Sequence, residues 1–283
     1  MPIFTQNNNF MAKGLIFSGC SYTYGAGIER EYPGTTSTDF IPQHYFIKNC
    51  TYEQLDFIHQ NRFSKLVADR FETFDLNNGR NGGDIDYGLG EIDKHFTTDG
   101  QSADTIAAII FQITNLDRGK SYVYSEKKGK TMEFGLQQYQ MDEESVIQVV
   151  SELEEEYGSF EKVVELAHTD KLHRLAEALK PYEEMGIPVF IIHWRDAHPQ
   201  MSSSKYDKYG DLVSKNEWLA ERRIPITYNG LTKNSFVEHY MDNRELVVDS
   251  NLYSSKFDDH ATILGHNVIA ESIYNYIKDK VNI

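Results

Sequence analysis

Four short segments of the chain carry residue types that together could cleave an ester. They contain Ser21, Gly82, Asn115 and His260, in that order along the sequence. A serine hydroxyl becomes a nucleophile when a histidine removes its proton, and backbone or amide N–H groups can bind the oxyanion that then forms. These residue types therefore predict acyl transfer.

The elements predicted around these segments place them at one edge of a sheet. The first three each follow a short apolar run that is typical of a buried strand, and His260 precedes the last predicted helix. These runs are residues 14–17, 74–76 and 105–113. In a parallel sheet with helices on both faces, ligands bind beyond the carboxyl ends of the strands.

The remaining patterns predict a three-layer α/β/α sandwich with a mainly parallel, flavodoxin-like sheet. Further strands are predicted at 187–194 and 246–248, and helices at 60–71, 142–156, 160–184 and 262–280. A polar stretch at 119–140 predicts a hairpin or flap. No linker divides the 283 residues, so we expect a single domain over 1–283, with a lid or insertion at about 196–244.

The four segments resemble the conserved blocks of the SGNH hydrolases, also called GDSL-like esterases and lipases. This resemblance implies that Ser21 is the nucleophile and His260 the general base, with Asp258 as the carboxylate that orients His260. It also implies an oxyanion hole made by the N–H groups of Ser21 and Gly82 and the amide of Asn115. The Gly-Cys-Ser-Tyr-Thr form of the first block looks like members encoded by bacteriophages.

Three positions differ from the pattern of that family. Cys20 stands in place of the usual aspartate, Ile113 in place of a glycine, and Phe257 in place of the aspartate three residues before the histidine. These differences keep three alternatives open. The first concerns the carboxylate: Asp258 orients the histidine, or Asp259 does, or no carboxylate does. The second is that Cys20 is the nucleophile. The third is that the chain is catalytically silent.

Composition limits the class of substrate and partner. With 43 acidic and 28 basic residues the formal net charge is -15, which argues against nucleic acid and anionic membranes. We expect a small-molecule or carbohydrate ester as substrate, no cofactor and no metal. The histidines at 193, 198 and 239 lack a zinc-site spacing, and Cys20 and Cys50 form no CxxC pair.

The N-terminus lacks the pattern of a signal peptide, and no apolar run approaches the length of a membrane span. We therefore expect a cytoplasmic protein, or a virion-associated one with an assembly partner if a phage encodes it. The segment from His193 to His198 ends a predicted strand. Its residues either line the substrate pocket or belong to the core and a loop.

The function predicted from the sequence is a serine esterase that hydrolyses a short acyl ester through an acyl-enzyme. An O-acetyl group on a carbohydrate is one such substrate. The alternative is a catalytically silent structural or binding protein, such as a phage particle component, that retains the fold. A thioesterase or acyltransferase would use the same residues.

The positions of the two aspartates before His260 generate a first prediction. Asp258→Asn should lower kcat by orders of magnitude, because an orienting carboxylate fixes the tautomer of the histidine that acts as base. Asp259→Asn should cost much less, because Asp259 directly precedes His260 and has the poorer reach back to its ring. Steady-state kinetics of both variants would measure this, and equal small effects would indicate a Ser-His dyad.

Overall fold

The computed structural model describes residues 13–34, 51–80, 82–113, 116–136, 138, 142–194, 212–240, 242–247 and 260–283. Its strands are β1 (Gly14–Ser18), β2 (Phe74–Asn77), β3 (Ile106–Ile113), β4 (Ser121–Ser125), β5 (Lys130–Phe134), β6 (Val189–His193), β7 (Ile226–Tyr228) and β8 (Leu231–Lys233). Four of them form a parallel sheet in the order β2-β1-β3-β6, so their carboxyl ends share one edge.

Helices connect and cover these strands. They are α1 (Ser21–Tyr24), α2 (Tyr52–Asn61), α3 (Phe63–Arg70), α4 (Ile85–Thr97), α5 (Glu144–Tyr157), α6 (Phe160–Glu184), α7 (Glu217–Arg222), α8 (Val237–Tyr240) and α9 (Ile263–Ile277). Short 3-10 helices cover Ile28–Glu31, Ala103–Thr105, Val213–Lys215 and Arg244–Leu246.

The sheet divides the main core into two layers because successive strand residues face opposite sides. In β1, Leu15 and Phe17 pack with α3 and α9, whereas Ile16 packs with α4 and α6. Ile273 of α9 is fully buried in the first layer, and burial of such a side chain stabilises the fold by about 1.5–3 kcal/mol. The predicted α/β/α sandwich with a parallel, flavodoxin-like sheet is confirmed.

A third apolar cluster lies outside these layers. The antiparallel hairpin of β4 and β5 packs its buried side chains, among them Val123 and Phe134, against α5 and the first turns of α6. This arrangement matches the hairpin that the sequence predicted within 119–140. The hairpin follows β3, so it stands beside the carboxyl edge of the sheet.

The predicted helix at 60–71 corresponds to α3, whereas residues 60 and 61 end α2, a separate helix that was not predicted. Arg62 has extended backbone angles (φ -75°, ψ 146°) that end α2 and begin α3, and its guanidinium donates to Asp75 Oδ2 at 2.8 and 3.0 Å. The side chain is therefore fixed to β2 at the point where the backbone leaves the helical conformation.

Helix α4 was missed in the sequence because Gly88 and Gly90 interrupt its pattern. Gly88 has a packing role, since a Cβ there would lie 3.0 Å from the ring of Phe111. The hydroxyl of Ser18 donates to the Gly88 carbonyl at 2.8 Å. A glycine therefore brings this helix close to the sheet at the end of β1.

The strand predicted at 246–248 is wrong. Residues Arg244–Leu246 form a 3-10 helix, and Val247 makes one antiparallel bridge to Ala261 rather than joining the sheet. A run of three apolar residues is too short to distinguish a strand from a buried turn. Residue 248 lies outside the described residues.

About a third of the predicted lid lies outside the described residues, which omit 195–211 and 241. The described part packs along the edge of β6, where the N–H of Ile224 donates to Ile191 O at 2.8 Å. The N–H of Phe236 donates to His193 O at 3.1 Å. In the described part of the chain, no helix is long and apolar enough to cross a membrane.

Helix α9 begins beside the carboxyl edge and buries a histidine in its first turn. Thr262 caps the helix by accepting from the N–H of Gly265 at 3.1 Å. His266 is fully buried, and its Nδ1 accepts from the N–H of Phe63 at 3.3 Å. Burial lowers the pKa of His266 to about 3, and the charges of His260 and Arg62 act in the same direction.

This depressed pKa predicts acid sensitivity. Between about pH 6.5 and 3 the unfolded chain binds a proton at His266 that the folded chain does not, so stability falls as the pH is lowered through that range. His266→Asn should flatten the fall of Tm between pH 6.5 and 4, because an amide oxygen can accept from Phe63 without titrating. The exposed His173 on α6 provides the control, and an unchanged slope in His266→Asn would contradict the prediction.

Candidate active site

Ser21 is the first residue of α1 and lies directly beyond the end of β1. Cys20, in an extended conformation, is the N-cap residue, so the chain turns from strand to helix within two residues. The N–H groups of the first helical turn have no acceptor inside the helix and point toward its N-terminal end. The hydroxyl of Ser21 is thus placed beside the backbone N–H groups at the start of α1.

His260 meets this serine from the other end of the chain. Its Nε2 lies 2.9 Å from Ser21 Oγ, a hydrogen-bond distance in which the imidazole can accept the hydroxyl proton. The backbone after it is fixed by the bridge from Ala261 to Val247 and by the N–H of Thr262, which donates to Leu246 O at 3.0 Å. The sequence-predicted nucleophile and base are therefore brought together.

Side chains from the neighbouring strands hold the serine turn. Gln112 of β3 accepts from Thr23 Oγ1 at 2.7 Å and from the N–H of Cys20 at 3.4 Å. Asn77 at the end of β2 donates to Thr23 O at 2.7 Å. A Cβ on Gly19 would lie 2.4 Å from Thr23 Oγ1, so only glycine fits at that position.

Gly82 lies in the turn after β2 and has a left-handed conformation (φ 75°) that favours glycine. It is exposed, and a Cβ there would meet nothing within 4 Å, so a ligand could approach its backbone closely. Gly79 in the same turn is packed instead, since its Cβ would lie 2.3 Å from the backbone nitrogen of Tyr24. The turn after β2 thus contacts the serine turn.

Aromatic rings lie beneath the base. Tyr22 stacks on Trp194 with ring centroids 4.0 Å apart, and its ring lies 4.7 Å from that of His260. Trp194 is fully buried and also contacts Phe236 at 4.4 Å. Trp194 and the equally buried His193 are therefore core residues at the end of β6, and residues 195, 196 and 198 lie outside the described residues.

Cys20 occupies a position that does not favour its role as nucleophile. Its sulfur is fully buried and lies 3.6 Å from the side-chain amide of Gln112. The imidazole of His260 instead contacts Ser21. A thiol nucleophile needs a base beside its sulfur, so this geometry favours Ser21.

Three residues of the predicted site lie outside the described residues. They are Asn115, the predicted oxyanion donor, and Asp258 and Asp259, the two carboxylates considered for His260. Their roles stay predictions. Among the residues that the structure does describe, no group of three or more histidine, cysteine or acidic side chains could hold a metal ion.

Glu29 is a buried acidic residue near the site that sequence reasoning missed. It lies in the 3-10 helix after α1, is 5% exposed, and its Oε2 accepts from the N–H of Gly27 at 2.7 Å. Burial raises the pKa of Glu29, whereas the positive charge of His260 acts to lower it. In the same helix Glu31 Oε1 accepts from the N–H of Ile263 at 2.6 Å, which ties this helix to the start of α9.

The similarity of this chain to known proteins is low. No family model matches the chain, and no curated protein matches it. A solved structure from Desulfitobacterium hafniense DCB-2, described as a lipolytic protein of the G-D-S-L family, has a TM-score of 0.39 and 10% identity. The match covers 93% of this chain and 98% of that chain, and a similarity this low carries no inference about activity.

The position of Glu29 generates a prediction about the base. Glu29→Gln should lower kcat about tenfold and leave KM nearly unchanged, because a nearby negative charge stabilises the imidazolium that forms during proton transfer. Glu31→Gln is the matched control, since a glutamine oxygen can still accept from Ile263. Equal kinetics of wild type and Glu29→Gln would show that this carboxyl does not assist His260.

Proposed function

We propose that the protein is a serine esterase that hydrolyses short acyl esters. The observation that carries the proposal is the 2.9 Å contact between Ser21 Oγ and His260 Nε2 at the carboxyl edge of a parallel sheet. Nucleophile and base within hydrogen-bond reach, with helix N–H groups beside them, are the elements that acyl transfer requires.

In this mechanism His260 removes the hydroxyl proton as Ser21 Oγ attacks the ester carbonyl. The negative charge that develops on the carbonyl oxygen is bound by the N–H groups of Ser21 and Gly82 and by the amide of Asn115. The protonated imidazole gives its proton to the departing alcohol, which leaves an acyl-enzyme. Water, deprotonated by His260, then releases the acid and restores Ser21.

The proposed substrate is an O-acetyl or similarly short ester on an uncharged alcohol, for which a carbohydrate is the first to test. The net charge of -15 disfavours anionic substrates. A cavity of about 660 Å³ beside Asp84 and Gly119 is not lined by Ser21 or His260, so the proposal of an uncharged substrate rests on the net charge of the chain.

The test is esterase turnover together with covalent labelling. Wild-type protein should hydrolyse p-nitrophenyl acetate faster than the dodecanoate ester, and a fluorophosphonate should label Ser21. Ser21→Ala should abolish labelling and essentially all turnover, because removing the nucleophile of such a site costs about 10⁶ in kcat.

The exposed Ser151 of α5 provides a matched control, and Ser151→Ala should retain wild-type activity. Folded wild type that neither turns over nor is labelled would contradict the proposal and favour the silent structural or binding protein. Iodoacetamide inactivation at Cys20, with activity retained in Ser21→Ala, would instead favour a cysteine nucleophile.

A further inference from the structure

A polar side chain is buried at the end of the apolar strand β3, beside the turn that carries Ser21. Gln112 is the one polar residue of β3 and is 1% exposed. The pairing of Ser18 with Phe111 places Gln112 level with Gly19, the first residue after β1. A buried amide is costly unless hydrogen bonds satisfy it, so the partners of this side chain indicate its role.

The side-chain oxygen of Gln112 contacts residues on both sides of Ser21. It accepts from the hydroxyl of Thr23 at 2.7 Å and from the backbone N–H of Cys20 at 3.4 Å. Because a backbone N–H can only donate, the amide oxygen faces the turn, and the amide nitrogen lies 3.6 Å from the sulfur of Cys20. One acceptor atom thus holds the residue before Ser21 and the residue two positions after it.

Helix α1 needs such external contacts because it is only four residues long. A helix of this length has few hydrogen bonds of its own and is not stable in isolation. Asn77 of β2 donates to Thr23 O at 2.7 Å, so Thr23 is held from both strands that neighbour β1. On the other side of the turn, a Cβ on Gly19 would lie 2.7 Å from the oxygen of Gln112. The position of Ser21 is therefore set by β2 and β3 as well as by its own helix.

The base is held by a different part of the chain. His260 Nε2 lies 2.9 Å from Ser21 Oγ, and the residue after it, Ala261, is bridged to Val247. If the serine turn shifted, this bridge would keep the histidine from following. A displacement of about 1 Å would carry the two atoms beyond hydrogen-bond distance, which would prevent direct proton transfer between them.

We propose that Gln112 is a positioning residue that holds Ser21 in place for proton transfer to His260. The inference rests on the proposed esterase function. The recorded side-chain contacts of Gln112 are with Cys20 and Thr23, so it acts on the nucleophile through the turn and not on the substrate.

A double-mutant cycle across the hydrogen bond from Thr23 to Gln112 tests this role. Gln112→Met removes the acceptor and keeps the length of the side chain, and it should lower kcat for p-nitrophenyl acetate by about 10- to 100-fold with KM nearly unchanged. Thr23→Val removes the donor and should also lower kcat. The double variant should lie within about twofold of Gln112→Met, since residues that act through one hydrogen bond are not additive.

Two further variants separate positioning from general stability. Thr23→Ser keeps the hydroxyl donor, so it should restore kcat to within about twofold of wild type. Ser272 of α9 is also buried, and its hydroxyl accepts from the N–H of Thr227 at 3.0 Å. Ser272→Ala should therefore lower Tm and leave kcat unchanged, with all kinetics measured below the Tm of every variant.

A folded Gln112→Met with wild-type kcat would overturn the proposal, as would additive losses in the double variant. If Gln112→Met fails to fold, Thr23→Val and Thr23→Ser carry the test, and equal kcat values for these two variants would overturn the proposal. Full turnover in Ser21→Ala would instead refute the esterase function on which the inference rests. Turnover that depends on Ser21 but is unchanged in Gln112→Met would refute the positioning role alone.

Discussion

The hydrogen bond between Ser21 and His260 joins residues that are 239 positions apart, and it can form only if both ends of the chain are fixed at one edge of the sheet. The parallel register of β1 with β2 and β3 places the serine turn there. The close approach of Gly265 to Leu246, where a Cβ would lie 2.3 Å from the carbonyl oxygen, places the start of α9 beside it. The site therefore depends on backbone packing in two places that have no reacting group.

The sequence was informative where a pattern had a single physical meaning. The continuously apolar β3 predicted a strand buried on both faces, and the resemblance to the SGNH blocks implied that Ser21 and His260 would meet. It was less informative where a glycine, or a very short apolar run, obscured the periodicity of a helix or a strand. Helix α4 was missed because Gly88, which serves close packing, and Gly90 interrupt its pattern, and Val247 was assigned to a strand although it makes a single bridge.

The buried charged groups had no sequence signal of their own. Lys171 lies in a helix with many charges, where a lysine is ordinarily a solvated surface residue, and Glu29 lies in a segment without clear periodicity. Their burial follows from tertiary contacts, namely the carbonyls of the loop after β3 and the docking of the 3-10 helix on α9. Burial of a charge is decided by partners distant in sequence, which a single sequence does not display.

Two imidazoles close to each other raise the question of which one would carry charge in the proposed reaction. Burial keeps His266 neutral, and because its Nδ1 accepts from Phe63, the proton of the neutral ring resides on Nε2. A neutral neighbour does not repel the imidazolium that forms when His260 takes a proton from Ser21. In the proposed reaction the positive charge would then be confined to His260, the ring that contacts Ser21 and could return the proton to a leaving group.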